Sequence, residues 1–155
     1  MNTFLQVVGR ALLGIGFLAA ALSVEGGGSL AAQTATSFRV VVNESNPVTT
    51  ISADDLSELF LKRRTSWPGG VPAQPVDQPA RAAVRESFST VALDRPVRAM
   101  VAYWQQQIFS GRGVPPLELS TETAVVEYVR AHPGAVGYVS AGADIRGLKV
   151  VEVTR

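Results

Sequence analysis

Two arginines near the start of a predicted helix are the residues best suited to binding chemistry. Residues 77–88 read DQPARAAVRESF, which places Arg81 and Arg85 four positions apart. A short apolar run at 71–76 precedes them, so a helix here would begin directly after a strand. The N-terminus of such a helix offers free backbone N–H groups and the positive end of the helix dipole, which together attract anions. Arginine suits an oxyanion because its guanidinium presents paired donors.

The same stretch has an interpretation that needs no ligand. Glycine, serine and threonine, which usually permit close approach to an anion, are missing from its first turn. Like charges at i and i+4 of a helix cost roughly 0.2–0.5 kcal/mol, and a bound anion would relieve that cost. Asp77 and Glu86 could relieve it as well, since surface ion pairs form readily without any function. Both interpretations remain open at this point.

Other kinds of chemistry find little support in the composition. The chain has no cysteine and a single histidine, His132, so a transition-metal site is not expected. The acidic pair at 54–55 is explained by the start of a helix, and no residue is marked as a nucleophile. A formal net charge of +1 gives no reason to expect nucleic acid or an acidic membrane surface as partner. We therefore predict no catalysis, no metal and no cofactor.

The N-terminal residues have the layout of a secretory signal peptide. An apolar run, ALLGIGFLAAALSV, is followed by small residues that suit cleavage after residue 31 or 32. An uncleaved anchor is the alternative, but a membrane span needs roughly 20 apolar residues and this run is shorter. We predict a signal peptide at 1–32, a flexible segment at 33–37, and one domain at 38–155. The domain would then be periplasmic, with no stable membrane insertion after cleavage.

Strand and helix patterns alternate along this domain. Apolar or β-branched runs predict strands at 38–43, 71–76, 117–120, 135–140 and 148–153. Helical periodicity predicts helices starting near residues 52, 77, 94 and 120. This alternation is typical of an α/β fold with a largely parallel sheet. Ligands of such sheets bind beyond the carboxyl ends of the strands, so the candidate rim comprises Asn43, residues 77–82 and residues 120–121.

The helix patterns also predict particular contacts. Ser52 is expected to cap the first helix, and residues 62–64 (KRR) to lie in its last turn near the negative dipole end. Trp67 is expected to pack against the domain, and Ser120 to cap the last helix. The third helix is expected to bury a stripe of five apolar residues: Val97, Met100, Val101, Trp104 and Ile108.

Three segments carry a family resemblance. Residues 40–70 (VVVNESNPVTTISADDLSELFLKRRTSWPGG), 109–116 (FSGRGVPP) and 132–140 (HPGAVGYVS) resemble, in that order, segments of the phosphate-type periplasmic solute-binding proteins of ABC transporters. The resemblance covers residues 38–153 and corresponds to the second half of such proteins. It implies one lobe of a type II periplasmic-binding-protein-like α/β fold, with a mostly parallel or mixed sheet flanked by helices.

The resemblance also implies where an anion would bind. The family's phosphate-binding Arg falls on Gln78, and its Ser-Gly-Thr falls on Ala82, Ala83 and Val84, so the main cation and the hydroxyl donors are absent while the backbone N–H groups remain. The predicted oxyanion-binding residues are Asp77, Gln78, Arg81, Ala82, Ala83, Val84, Arg85 and Ser120. The implied partners are a phosphate-like oxyanion and an ABC transporter permease. The alternative is a module without a ligand that contacts a protein of the cell envelope.

Overall fold

A computed structural model describes residues 37–155. The predicted signal peptide (1–32) and residues 33–36 of the predicted flexible segment lie outside the described residues. The strands are β1 (Phe38–Asn43), β2 (Thr50–Ser52), β3 (Gln74–Asp77), β4 (Leu117–Glu118), β5 (Ala135–Ser140) and β6 (Leu148–Thr154). The helices are α1 (Ala53–Phe60), α2 (Ala83–Ala92), α3 (Val97–Phe109) and α4 (Glu122–Ala131).

The strands form one sheet in the order β2-β6-β1-β5-β3-β4. β1 is antiparallel to both of its neighbours, while the pairs β2–β6, β3–β5 and β3–β4 are parallel. Five strands therefore run in one direction and only β1 is reversed, which makes the sheet mixed but mostly parallel, as predicted. Because of this reversal, the prediction that Asn43 lies beside Asp77 is wrong. Asn43 ends β1 at the amino ends of the other strands, whereas Asp77 lies at their carboxyl ends. The Asn43 amide instead donates to the Val129 and Arg130 carbonyls of α4.

Helices cover both faces of the sheet. Successive side chains of a strand point to opposite faces, so each face carries apolar side chains that must be buried. Val40 and Val42 of β1 pack with buried residues of α1, α2 and α3, whereas Val41 packs with α4. Gly137 of β5 lies beneath Val125 and Val129 of α4. A Cβ there would stand 2.7 Å from Val125 Cγ1, so a side chain at this position would push α4 away.

The predicted start of α1 is confirmed and its predicted end is wrong. The Ser52 hydroxyl accepts a hydrogen bond from the Asp55 N–H at 3.1 Å. The helix ends at Phe60, and Lys62 adopts a left-handed conformation with φ of +53°. The Lys62 and Arg63 N–H groups donate back to the Leu59 and Glu58 carbonyls, the pattern of a Schellman motif. Residues 62–64 thus lie beyond the helix, in the turn that terminates it.

Replacing Lys62 with glycine is expected to stabilise the domain. A left-handed conformation is strained for a residue with a Cβ and free of strain for glycine, so we expect a gain of about 0.5–1 kcal/mol in the free energy of unfolding. Urea denaturation would measure it. Lys62→Ala is the matched control, because it removes the same side chain without relieving the strain. An equal gain in both variants would contradict the explanation.

The remaining helices differ from the prediction in detail. In α3 the buried residues are Val97, Met100 and Trp104, whereas Val101 and Ile108 are 36% and 54% exposed. The prediction that Val101 and Ile108 are buried is therefore wrong, because the helix contacts the domain along one narrow stripe. The cap of α4 is Thr121, whose hydroxyl accepts from the Ala124 N–H at 3.1 Å, so Ser120 does not cap it.

Trp67 packs against the domain, as predicted. It is 4% exposed, and its indole N–H donates to the Gly134 carbonyl at 2.9 Å. Within residues 37–155 no helix is both long and apolar enough to cross a membrane.

Candidate functional site

The helix that carries the predicted anion site begins later than the sequence suggested. α2 starts at Ala83, and Ala82 is its N-cap without a side-chain hydrogen bond. Pro79 opens a turn that the Ala82 N–H closes by donating to the Pro79 carbonyl at 2.8 Å. Arg81 therefore precedes the helix, and the prediction that Arg81 and Arg85 share a helical face is wrong. The Ala82 N–H is engaged in the turn, which leaves the N–H groups of Ala83 and Val84 as candidate donors.

A buried polar cluster lies directly behind this helix start, at the carboxyl end of β3. It consists of Asp77, Gln78, Arg85 and Tyr138, none more than 7% exposed. Arg85 Nη2 lies 2.8 Å from Asp77 Oδ2, and the Tyr138 hydroxyl donates to Asp77 Oδ1 at 2.5 Å. The Gln78 backbone N–H donates to the same oxygen at 2.8 Å. The Asp77 carboxylate thus receives three donors from three different segments of the chain.

Two further hydrogen bonds link the members of the cluster. Arg85 Nη1 donates to the Gln78 carbonyl, and Gln78 Nε2 donates to the Tyr138 carbonyl at 2.8 Å. Arg85 Nε is buried without a hydrogen-bond partner within the described residues. Arg85 is therefore an internal cation whose charge is matched by Asp77, which agrees with the ligand-free interpretation of that side chain.

Burial sets the electrostatics of the cluster. It raises the pKa of Asp77 above the ordinary value for a carboxyl group, and Arg85, Tyr138 and the Gln78 N–H oppose that rise by stabilising the charged form. Burial and the neighbouring Asp77 charge also raise the pKa of Tyr138. The phenol therefore stays protonated and remains a donor to Asp77.

The loop after β4 borders the same site. β4 pairs with β3 so that Glu118 stands beside Asp77, and the Leu119 N–H donates to the Asp77 carbonyl at 2.8 Å. Glu118 Oε2 lies 3.8 Å from Arg85 Nη1, with more than half of its side chain exposed. Ser120 follows on the exposed part of this loop. The two loops beyond β3 and β4 are thus adjacent, as ligand-binding loops of a parallel sheet should be.

The predicted site residues separate into two groups. The accessible group is Arg81, Ala82, Ala83 and Ser120. The buried group is Asp77, Gln78, Val84 and Arg85; the side chain of Val84 belongs to the core with Phe88. A ligand at the surface would therefore not meet the buried side chains without rearrangement.

Sequence reasoning missed Tyr138 and Glu118. Tyr138 lies in the apolar run AVGYVS, where a tyrosine is indistinguishable from a core residue until its hydroxyl is seen to reach Asp77. It also stacks on Phe88, with ring centroids 3.9 Å apart, so its position is fixed by packing. Glu118 lies in a two-residue strand, and only the pairing of β4 with β3 brings it to the site.

Comparison with solved structures identifies the fold. The chain is similar to an ABC-type phosphate transport receptor from Vibrio cholerae (TM-score 0.58, 20% identity, 76% of this chain and 46% of that one). It is similar to a phosphate ABC transporter substrate-binding protein with bound phosphate from Clostridium perfringens (TM-score 0.60, 15% identity, 76% and 44%). PstS from Borrelia burgdorferi is a third (TM-score 0.59, 12% identity, 76% and 47%). The sequence matches no protein-family model and no curated protein.

The fold is therefore that of one lobe of a phosphate ABC transporter substrate-binding protein. The chain spans less than half the length of the three structures that it matches. Two of these neighbours are named as phosphate transport proteins. Within residues 37–155, no group of three or more His, Cys, Asp or Glu side chains is arranged to hold a metal ion.

Proposed function

We propose that the domain binds phosphate or a related oxyanion in the periplasm and serves ABC-type transport. The anion would sit at the start of α2, held by the N–H groups of Ala83 and Val84 and by the Arg81 guanidinium, with the Ser120 hydroxyl at the border. No catalytic step, metal or cofactor takes part. The partner would be a transporter permease that receives the ligand.

The observation that carries the proposal is the uncapped start of α2. Ser52 and Thr121 cap α1 and α4 through their side chains, whereas the N-caps of α2 and α3, Ala82 and Pro96, make no side-chain hydrogen bond. Of these two uncapped starts, only that of α2 follows a strand, β3. The N–H groups at that end therefore remain open to an external acceptor, and the helix dipole favours an anionic one. The exposed Arg81 stands two residues before the helix. The bound phosphate of a protein with the same fold supports the same ligand class.

Replacing Arg81 with alanine is expected to weaken phosphate binding at least several-fold. A charge-assisted hydrogen bond contributes about 1.5–3 kcal/mol, and the lower end corresponds to roughly a tenfold change in affinity. Calorimetric titration of the purified protein with phosphate at low ionic strength would measure it, with sulfate as a comparison ligand. Low ionic strength matters because salt screens exposed charges.

Arg98→Ala is the matched control, since it removes the same charge from an exposed position on α3 and should leave the affinity unchanged. Saturable binding by the unmodified protein that Arg81→Ala does not weaken would remove Arg81 from the site. The absence of any heat up to millimolar phosphate would contradict the proposal itself.

The buried cluster favours a second candidate, a module that holds no ligand. The Asp77 carboxylate already pairs with Arg85 and accepts from Tyr138, so the positive charge of Arg85 is balanced without a bound anion. In that case the fold would serve contact with another protein of the cell envelope. Phosphate would then give no heat, and the domain would be recovered with a partner from envelope extracts by affinity capture.

A further inference from the structure

The C-terminal end of α3 and the turn after it carry the most exposed large apolar residues in the described part of the chain. Phe109 is 90% exposed, Val114 72% and Ile108 54%. Arg112 lies between them and lines a cavity of about 540 Å³ with Ile108 and Val114. Lys62 joins this surface from the end of α1, because its ammonium donates to the Pro115 carbonyl at 3.1 Å. We call these five residues the α3 tip.

The α3 tip is held in place by its backbone. Gly111 has a φ of +65° and donates to the Ile108 carbonyl, while the Arg112 N–H donates to the Gln107 carbonyl. This is a Schellman motif, in which an apolar residue after the glycine usually covers the helix end. Arginine occupies that position here. The motif therefore fixes the turn and leaves the neighbouring apolar side chains uncovered.

Two cations, Arg112 and Lys62, stand beside these apolar side chains. The other two arginines of residues 95–117, Arg95 and Arg98, lie at the amino end of α3, away from the α3 tip. Arg112 and Lys62 form no ion pair with a carboxylate among the described residues, whereas Arg63 and Arg64 are paired with Glu58 and Asp55. The formal net charge of +1 for the whole chain does not reveal these two unpaired cations beside exposed apolar side chains.

The α3 tip and the candidate anion site lie at opposite ends of the strands. Residues 110–116 lead into β4 and so stand at its amino end, while Asp77 and the start of α2 lie beyond the carboxyl ends of the parallel strands β3 and β5. A partner at the α3 tip would therefore leave the anion site uncovered.

We propose that the α3 tip binds the surface of an anionic phospholipid membrane. Aromatic and aliphatic side chains beside lysine and arginine suit the boundary between headgroups and acyl chains, where apolar groups are buried and cations meet lipid phosphates. A second copy of the chain suits this surface less well, because a two-fold contact would bring Arg112 and Lys62 against their own equivalents.

Co-sedimentation of the full chain with phosphatidylcholine vesicles, and with vesicles of equal parts phosphatidylcholine and phosphatidylglycerol, tests the proposal. The phosphatidylglycerol vesicles should bind more protein. Phe109→Ser should weaken this binding about tenfold or more, because an aromatic side chain would no longer be buried. Arg112→Gln should weaken it about fivefold, as expected for one cation near an anionic surface.

The controls are Val91→Ser, which replaces another exposed apolar side chain with serine, and Arg146→Gln, which removes an exposed arginine charge elsewhere. Both should bind as the unmodified protein does. Equal binding to both vesicle types, or equal weakening by test and control variants, would overturn the proposal. Self-association that Phe109→Ser abolishes, without vesicle binding, would overturn it in favour of a second copy. Capture of an envelope protein at the α3 tip without vesicle binding would do so in favour of a protein partner.

A Phe109→Trp variant gives a local readout that residues 1–36 do not influence. Trp67 and Trp104 are buried, so bromine-labelled acyl chains should quench only the tryptophan at position 109. Quenching by vesicles containing such lipids supports the proposal. Unquenched fluorescence from protein that sediments with the vesicles would overturn it, because another segment would then make the contact.

Discussion

Replacing Asp77 with alanine is expected to lower the free energy of unfolding by about 3–5 kcal/mol, since it leaves the buried guanidinium of Arg85 without its counter-charge. The Tyr138 hydroxyl and the Gln78 N–H lose the same acceptor. Urea denaturation followed by the fluorescence of the buried tryptophans would measure the loss. A decrease below about 1 kcal/mol would show that water or another group reaches Arg85, because such a value is typical of exposed ion pairs.

Two further variants separate the pair from its surroundings. Glu118→Ala removes a mostly exposed carboxylate 3.8 Å from the same guanidinium and should cost less than about 1 kcal/mol. The double variant Asp77→Leu with Arg85→Met should recover much of the loss, because a buried ion pair can often be replaced by apolar residues of similar volume. Failure of the double variant to recover stability would show that the hydrogen bonds that Asp77 accepts from Tyr138 and from the Gln78 N–H contribute beyond charge balance.

Replacing Gly134 with alanine is expected to destabilise the domain by about 3 kcal/mol or more, at the upper end for overpacked sites. A Cβ at this position would overlap the carbonyl oxygen of Pro72. The backbone cannot move aside easily, because the Gly134 carbonyl accepts from both Trp67 Nε1 and the Gln74 N–H at 2.9 Å. The strain would therefore spread to the Trp67 turn and to the start of β3.

Gly142→Ala is the control for this substitution. A Cβ at Gly142 meets no atom within 4 Å, so the free energy of unfolding should change by no more than about 0.5 kcal/mol. The two variants would be compared by thermal and urea denaturation. Equal stabilities would mean that the segment around Pro72 yields to the added methyl group.

Much of the fold could be predicted from the sequence, because the signals that define it are local. The β-branched run at 38–43 forms β1, Ser52 caps α1, and the alternation of strands and helices produces a mostly parallel sheet. β2 was missed, since three residues at a sheet edge form a strand only because β6 pairs with them. The reversed direction of β1 is likewise set by its partners, and for that reason Asn43 was assigned to the wrong edge.

The candidate site was harder to predict than the fold. The sequence located the turn after β3 and the helix that follows it, but an arginine at position 85 reads the same whether it is buried or exposed. Whether Arg85 is buried depends on Asp77 before the turn, with which it pairs, and on Tyr138 about sixty residues further along the chain, which also binds Asp77. No local sequence pattern predicts these contacts between distant residues. Anion binding at Arg81 stays a prediction.

The reversed strand at the middle of the sheet has a consequence for the order in which the domain can be made. β1 is the first strand of the described domain, yet both of its neighbours, β5 and β6, are the last two. During synthesis its ladder partners do not exist until nearly the whole domain has been translated. Because such distant pairings must form before the core closes, folding should be slow compared with that of a domain built from local contacts. A nascent chain that stops before residue 148 would leave one side of this central strand unpaired.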